Sequence, residues 1–313
     1  MQSRSLGLTD IRVSEIALGT WGLTSGAYGE VKREKFDRTM ARALERGVTT
    51  FDVAPTWGED GASETWLKEA LEDCEIEPVI ISRGGARFVD GKLACSFTVD
   101  DLVKDCEASL ERLGRETIDV WLLHNPSHEV LTQDDWREAI HKLEAEGKIR
   151  AFGVSVGEVD DARIAVEHGA QVVCLTHNLL NGVRLDELTE ELTANGAGVL
   201  ARSPLMFGLL AGRWSADRVF DEDDHRARRW NKDTFKERIR QVDALRFLVG
   251  SKHEDLATAA LRFTLTHAQV SCALVGARTA AQIEAAVEAA SGPPYLTDED
   301  MTRLAKVRNT AGI

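Results

Sequence analysis

Short apolar runs alternate with helix-like stretches along the whole chain, and that alternation limits the fold more than any other feature. The runs fall at 16–19, at a segment ending in Asp52, and at 79–82, 118–124, 149–155, 172–176, 198–202 and 272–275. Apolar spacing predicts helices at 31–46, 64–71, 99–113, 134–146, 159–168, 185–194, 235–250, 254–266 and 279–290, with a tail helix at 297–308. Gly47 and Gly114 serve as stops, and Thr98 as a cap. The runs lack polar alternation, as expected of strands covered on both faces. Residues 4–13 predict a small hairpin. Eight strand–helix units in 313 residues predict an α/β chain forming a (β/α)8 TIM barrel. The expectation is one domain, 1–313, with an N-terminal β-hairpin and an extra C-terminal helix. No Gly-x-Gly-x-x-Gly follows a strand, so a doubly wound dinucleotide fold is not expected.

The net charge is −14, which argues against nucleic acid and anionic membranes as partners, because phosphate binding needs a basic face. The five cysteines show no Cys-x-x-Cys spacing, which predicts reduced thiols and no zinc ribbon. No apolar leader opens the chain and no run has the length of a membrane span, so a cytoplasmic protein acting on a small molecule is expected.

In such a barrel, side chains at the C-terminal ends of strands face the active-site mouth. Asp52 ends one strand, and Trp57 follows in a Pro- and Gly-bearing loop. Arg83, Arg87 and Arg202 end or follow strands on the same side, and three guanidinium groups there suit an anion. Asp52 and His124 read as remnants or as an acid/base pair, since a neighbouring carboxylate raises a histidine pKa. Cys174 and His177, at the end of the 172–176 run, extend this cluster; no spacing points to a metal site. Tyr28, in the loop after the first strand, reads as an exposed residue or a displaced acid. The polar insertion 211–234 reads as a solvated loop or a lid.

Several ordered blocks resemble the aldo-keto reductase superfamily. They are Leu6-Gly7-Leu8 with Gly19-Thr20-Trp21, Phe51-Asp52-Val53-Ala54 with Gly58, and Leu110-Glu111-Arg112-Leu113-Gly114 leading to Trp121-Leu122-Leu123-His124. Gly147-Lys148-Ile149-Arg150-Ala151-Phe152-Gly153-Val154-Ser155, Ser203-Pro204-Leu205 and Gly276-Ala277-Arg278-Thr279 follow in family order. The resemblance implies NADPH-dependent carbonyl reduction by an Asp, a Tyr, a Lys and a His. Asp52 and His124 match two of these. Trp57 takes the tyrosine's place, and Gly84 is read in the lysine's place. Indole N–H donates a hydrogen bond but is not a usable acid. For the cofactor the resemblance points to Ser155, Ser203, Leu205, Gly276, Arg278 and Gln282. Val156, Cys174, Arg202, Ala285 and Ala286 depart from the pattern.

These departures imply no cofactor, or weakly bound NADPH. The first expectation is therefore non-redox acid/base chemistry, of dehydratase, isomerase, cyclase or lyase type, carried by Asp52 and His124. Trp21, Tyr28, Trp57, Arg83, Arg202, Cys174 and His177 would hold a small, anionic or carbonyl-bearing substrate. An atypical NADPH-dependent carbonyl oxidoreductase is the alternative, and a non-catalytic binder the third reading.

Overall fold

The computed structural model describes residues 1–250, 253–290, 292–293 and 295–313. Eight parallel strands close into a barrel. In chain order they are Ile16–Gly19, Thr50–Asp52, Val79–Gly84, Ile118–His124, Ile149–Ser155, Val172–Thr176, Gly198–Arg202 and Val270–Val275. Each strand pairs with its successor, and the last pairs with the first through Ala273 and Ile16. This is the (β/α)8 TIM barrel that the alternation predicts.

The strands are apolar throughout because each faces two cores. Ala17, Ile81, Val120, Leu122, Ala151, Cys174, Leu200 and Cys272 fill the barrel interior. Intervening residues such as Phe51, Ile80, Trp121, Leu123 and Val154 pack outward against the helices. Burying one such side chain is worth roughly 1.5–3 kcal/mol.

The opening hairpin pairs Ser3–Ser5 with Arg12–Ser14 and plugs the bottom of the barrel. Leu6, Ile11 and Val13 enter the interior core. Gly7 has φ +58, and a Cβ there would lie 2.3 Å from the Gly196 carbonyl oxygen, so only glycine fits this turn. Beneath the plug, Arg4 donates to Glu15 Oε1 at 2.7 Å and to the Val270 carbonyl at 2.8 Å. The C-terminal helix, Asp298–Ala311, starts at a Thr297 capping box and adds Leu304 to a smaller core shared with Phe235 and Ile239.

Three local features differ from the sequence-based expectation. The helix expected at 185–194 divides into Val183–Asp186 and Thr189–Asn195, and the one expected at 235–250 becomes Lys232–Ala244 followed by a 3₁₀ turn, Arg246–Leu248. In both, two leucines three residues apart are buried, Leu185 with Leu188 and Leu245 with Leu248. A tight turn brings positions i and i+3 onto one line. The third difference is an antiparallel hairpin after the third strand, Ala86–Val89 with Lys92–Cys95, closed by Asp90 and Gly91 at positive φ. No described helix is long and apolar enough to cross a membrane.

Candidate active site

Side-chain parity builds the mouth. In each strand every second residue points into the barrel. Ile81 and Leu122 belong to the interior core, so Arg83 and His124, two residues on, project into the mouth from the third and fourth strands. Cys174 and Leu200 likewise bring in Thr176 and Arg202. Asp52 ends the second strand opposite this set, and Ser155 ends the fifth.

Asp52 and Arg83 form an ion pair between Asp52 Oδ1 and Arg83 Nη2, with side chains 6% and 5% exposed. The sequence reading puts Gly84 in the lysine's place and leaves Asp52 without a cation. A Cβ on Gly84 would lie 2.2 Å from Cζ2 of Trp121, so Gly84 turns outward against the helix layer. Asp52 therefore keeps a cationic partner, supplied one residue earlier. The Trp57 ring lies on that partner's face, with the Arg83 guanidinium carbon 4.6 Å from the ring centroid. Trp57 is held there by its own amide, which donates to Ala54 O at 3.1 Å. Arg83 Nε is buried without a hydrogen-bond partner among the described residues.

Arg202 is anchored from the other side. It donates to Thr176 Oγ1 (3.3 Å), Asn125 Oδ1 (3.2 Å), Ser155 Oγ (3.2 Å) and the Val156 carbonyl (2.8 Å). Asn125 and Thr176 were not legible as site residues, because their role exists only once Arg202 crosses from the seventh strand.

Both guanidinium groups act on their neighbours. Burial pushes the Asp52 carboxyl up to about 6, against the pull of Arg83 and Arg202. Burial and the same two cations hold His124 down to about 3, so the imidazole is neutral. That overturns the expectation that a carboxylate raises it: burial first, and then the two cations, outweigh Asp52. His124 Nδ1 is buried and has no hydrogen-bond partner among the described residues. Burial also pushes up the Cys174 thiol beneath the mouth, so it is not an activated nucleophile.

Other expected residues lie elsewhere. His177 turns out of the barrel, stacks on Phe263 at 5.1 Å and meets His267 edge-on at 5.5 Å, so it does not extend the Asp52–His124 cluster. Arg87 sits on the hairpin and pairs with Asp101 (2.5 Å) and Asp105 (3.0 Å), away from the mouth arginines. Tyr28 packs edge-on against Trp21 (5.4 Å) and His225 (4.7 Å). Burial raises its phenol to about 12, with Arg226, Arg229, Arg278 and Asp224 as its charged neighbours, so it is a poor displaced acid.

The polar insertion is strapped to the first loop. Asp224 bridges to Tyr28, and His225 N donates to Ala27 O at 2.8 Å. Asp221 to Asp223 are exposed, whereas Asp224 is buried under Arg226. Nearby, Arg278 donates to Gly22 O and Tyr28 O, both at 3.2 Å. Its own amide donates to Gln282 Oε1 at 2.7 Å, and Thr279 caps the helix Ala280–Ala289. A Cβ on Gly276 would meet nothing within 4 Å, leaving the space before that helix open.

An eight-stranded closed barrel whose polar groups gather at the strand ends defines the (β/α)8 class of protein. Comparison with known proteins carries this further. Residues 15–309 match the model of the Aldo/keto reductase family. The chain is 28% identical over 297 residues to the aldo-keto reductase YhdN of Bacillus subtilis, covering 92% of this chain and 88% of the relative. It is 29% identical over 241 residues to an NADH-specific methylglyoxal reductase of Escherichia coli, covering 70% and 72%. Among solved structures, a glycerol dehydrogenase from Gluconobacter oxydans superposes with a TM-score of 0.86 at 26% identity, covering 99% of this chain and 95% of that one. The chain belongs to the aldo-keto reductase family.

Proposed function

We propose that the protein is a nicotinamide-dependent carbonyl oxidoreductase that stabilises the developing oxyanion with guanidinium and imidazole donors instead of a tyrosine acid. The observation that carries this reading is the buried Asp52–Arg83 pair, capped by Trp57 and set beside a neutral His124. The names of the relatives, reductases and a dehydrogenase, favour hydride transfer over the non-redox chemistry expected first.

The residues present fit a nicotinamide dinucleotide best at its phosphate end. Gly276 leaves open space, and Arg278, Thr279 and Gln282 stand at a ten-residue helix N-terminus, where phosphate is favoured. Ser203 and Leu205, on the turn after the seventh strand, would line its path toward the mouth, whereas Ser155 is fully buried with its hydroxyl on Arg202. A reduced nicotinamide, when bound, supplies a hydride: the carbonyl carbon gains it with its electron pair, the oxygen gains a proton, and the nicotinamide is oxidised by two electrons.

The chain's own residues do the rest. The neutral His124 ring orients the carbonyl oxygen, and the Arg83 guanidinium holds the negative charge that forms there. Asp52 keeps Arg83 in place. Trp57 excludes water from that guanidinium's face, and the proton arrives from solvent at His124. Removing one such donor costs about 10²–10³ in kcat. The test follows NADH and NADPH oxidation with a panel of aldehydes and ketones, in the wild type and in His124→Ala and Arg83→Met. The reading expects turnover that falls by about that factor in each variant; absence of turnover with either dinucleotide sinks it.

Non-redox acid/base chemistry remains the second reading. One observation favours it: Asp52, at about 6, is a mouth carboxyl that titrates near neutrality, while Trp57 supplies no acid. Substrate conversion without any dinucleotide, abolished in Asp52→Asn, would establish it.

A further inference from the structure

Arg202 is a fixed cation with no ion-pair partner among the described residues. Its hydrogen bonds to Thr176, Asn125, Ser155 and Val156 all go to neutral oxygens, and no carboxylate lies within 4.0 Å of it among the described residues. Arg83 does have Asp52, yet it is 4% exposed and its Nε remains buried and unpartnered. The mouth thus holds two guanidinium groups against one carboxyl group.

Arg83 Nε and His124 Nδ1 are both buried and have no hydrogen-bond partner among the described residues. Both arginines act on Asp52, His124 and Cys174, so the positive charge is shared across one small region. An excess of one positive charge matches a monoanion. Beyond its bond to the Val156 carbonyl, Arg202 Nη2 keeps one N–H, and a carboxylate oxygen is a charge-assisted acceptor for it.

We propose that Arg202 and Arg83 form a carboxylate-binding pocket beside His124, and that the substrate is a 2-oxo acid, its carboxylate on Arg202 and its carbonyl oxygen between Arg83 and His124. The substrate assignment rests on the oxidoreductase reading above; the pocket does not. On that reading the hydride and proton add across the C=O bond, giving a 2-hydroxy acid, and the carboxylate is unchanged.

A pair of substrates isolates the claim: pyruvate and its methyl ester carry the same carbonyl, with and without the charge. The expected result is a kcat/KM for the acid roughly 10–100-fold above that for the ester, a factor in keeping with one charge-assisted contact. Arg202→Met should erase that preference, and Arg202→Lys should keep part of it, which separates lost charge from lost folding. Equal or better use of the ester by the wild type overturns the proposal.

A second measurement does not depend on hydride transfer. Calorimetric titration with oxamate, an inert carboxylate of the same shape, is run alone and with NADH or NADPH present. Oxamate binding that disappears in Arg202→Met supports the pocket even if no carbonyl is reduced, in which case only the oxidoreductase reading falls. Sulfate binding without oxamate binding, or no binding of either, overturns the pocket.

Discussion

Replacing Arg83 by methionine removes a cation while keeping an unbranched stem. Asp52 and Arg83 side chains are 6% and 5% exposed, so water cannot take over the vacated contact. Breaking a buried pair by removing one partner costs about 3–5 kcal/mol. Protonation relieves part of that cost. Burial already holds Asp52 at about 6 while Arg83 pulls it down, so losing Arg83 raises it further. The folded value lies above the unfolded one, which means that stability falls as pH rises between the two. The destabilisation caused by Arg83→Met should therefore be largest near pH 8, shrink by about 1.4 kcal/mol per unit down to about pH 6, and change little from there to pH 5, where Asp52 is protonated in both folded proteins. Combining it with Asp52→Asn removes the stranded charge, and a coupling of about 2 kcal/mol or more is expected. Urea denaturation of the wild type, both single variants and the double variant, at both pH values, measures this cycle. A coupling under ~0.5 kcal/mol at both, within the scatter of independent sites, would refute the pair.

Other consequences are local. Gly84→Ala forces a Cβ to 2.2 Å from Trp121, which is fully buried, so about 1–3 kcal/mol of stability should be lost in a denaturant melt; an unchanged midpoint means Gly84 faces the mouth after all. His124 is held near 3 in the fold, so the unfolded chain takes up its proton first as pH falls below about 6.5. Its contribution to acid destabilisation is about 1.4 kcal/mol per pH unit, and His124→Gln should flatten the stability–pH curve by that slope; superimposable curves contradict the neutral histidine. Trp57→Tyr places a phenol near Arg83, whose charge lowers its pKa, and general acid catalysis should then raise kcat by up to about 10²-fold. A variant slower than wild type shows that the indole itself is required.

The barrel is legible in the sequence because eight apolar runs each serve two cores, so burial on both faces leaves a signal at every strand. The mouth is less legible because it depends on parity. In Ile81-Ser82-Arg83-Gly84, sequence alone does not say whether Arg83 or Gly84 points inward, and a shift of one residue reverses both. The decisive information is Trp121, a residue on the neighbouring strand that occupies the space outside Gly84. His124 shows the same limit: its position at a strand end is visible, but its charge state is set by burial and then by Arg83 and Arg202, from two other strands. Arg87 and His177 stand in the chain where mouth residues are expected, yet local carboxylates and Phe263 claim them. The hairpin at 86–95 did carry a signal, the Asp90-Gly91 turn between apolar residues.

The central claim is that this mouth, with Arg83 in place of a lysine and Trp57 in place of a tyrosine, still works with a nicotinamide dinucleotide. Titrating the purified protein with NADH and with NADPH, following nicotinamide fluorescence, tests it without knowledge of the substrate. Saturable binding of at least one dinucleotide is expected in the ~1 μM–1 mM range usual for enzyme ligands, weakened in Arg278→Ala. No saturation with either dinucleotide across that range contradicts it.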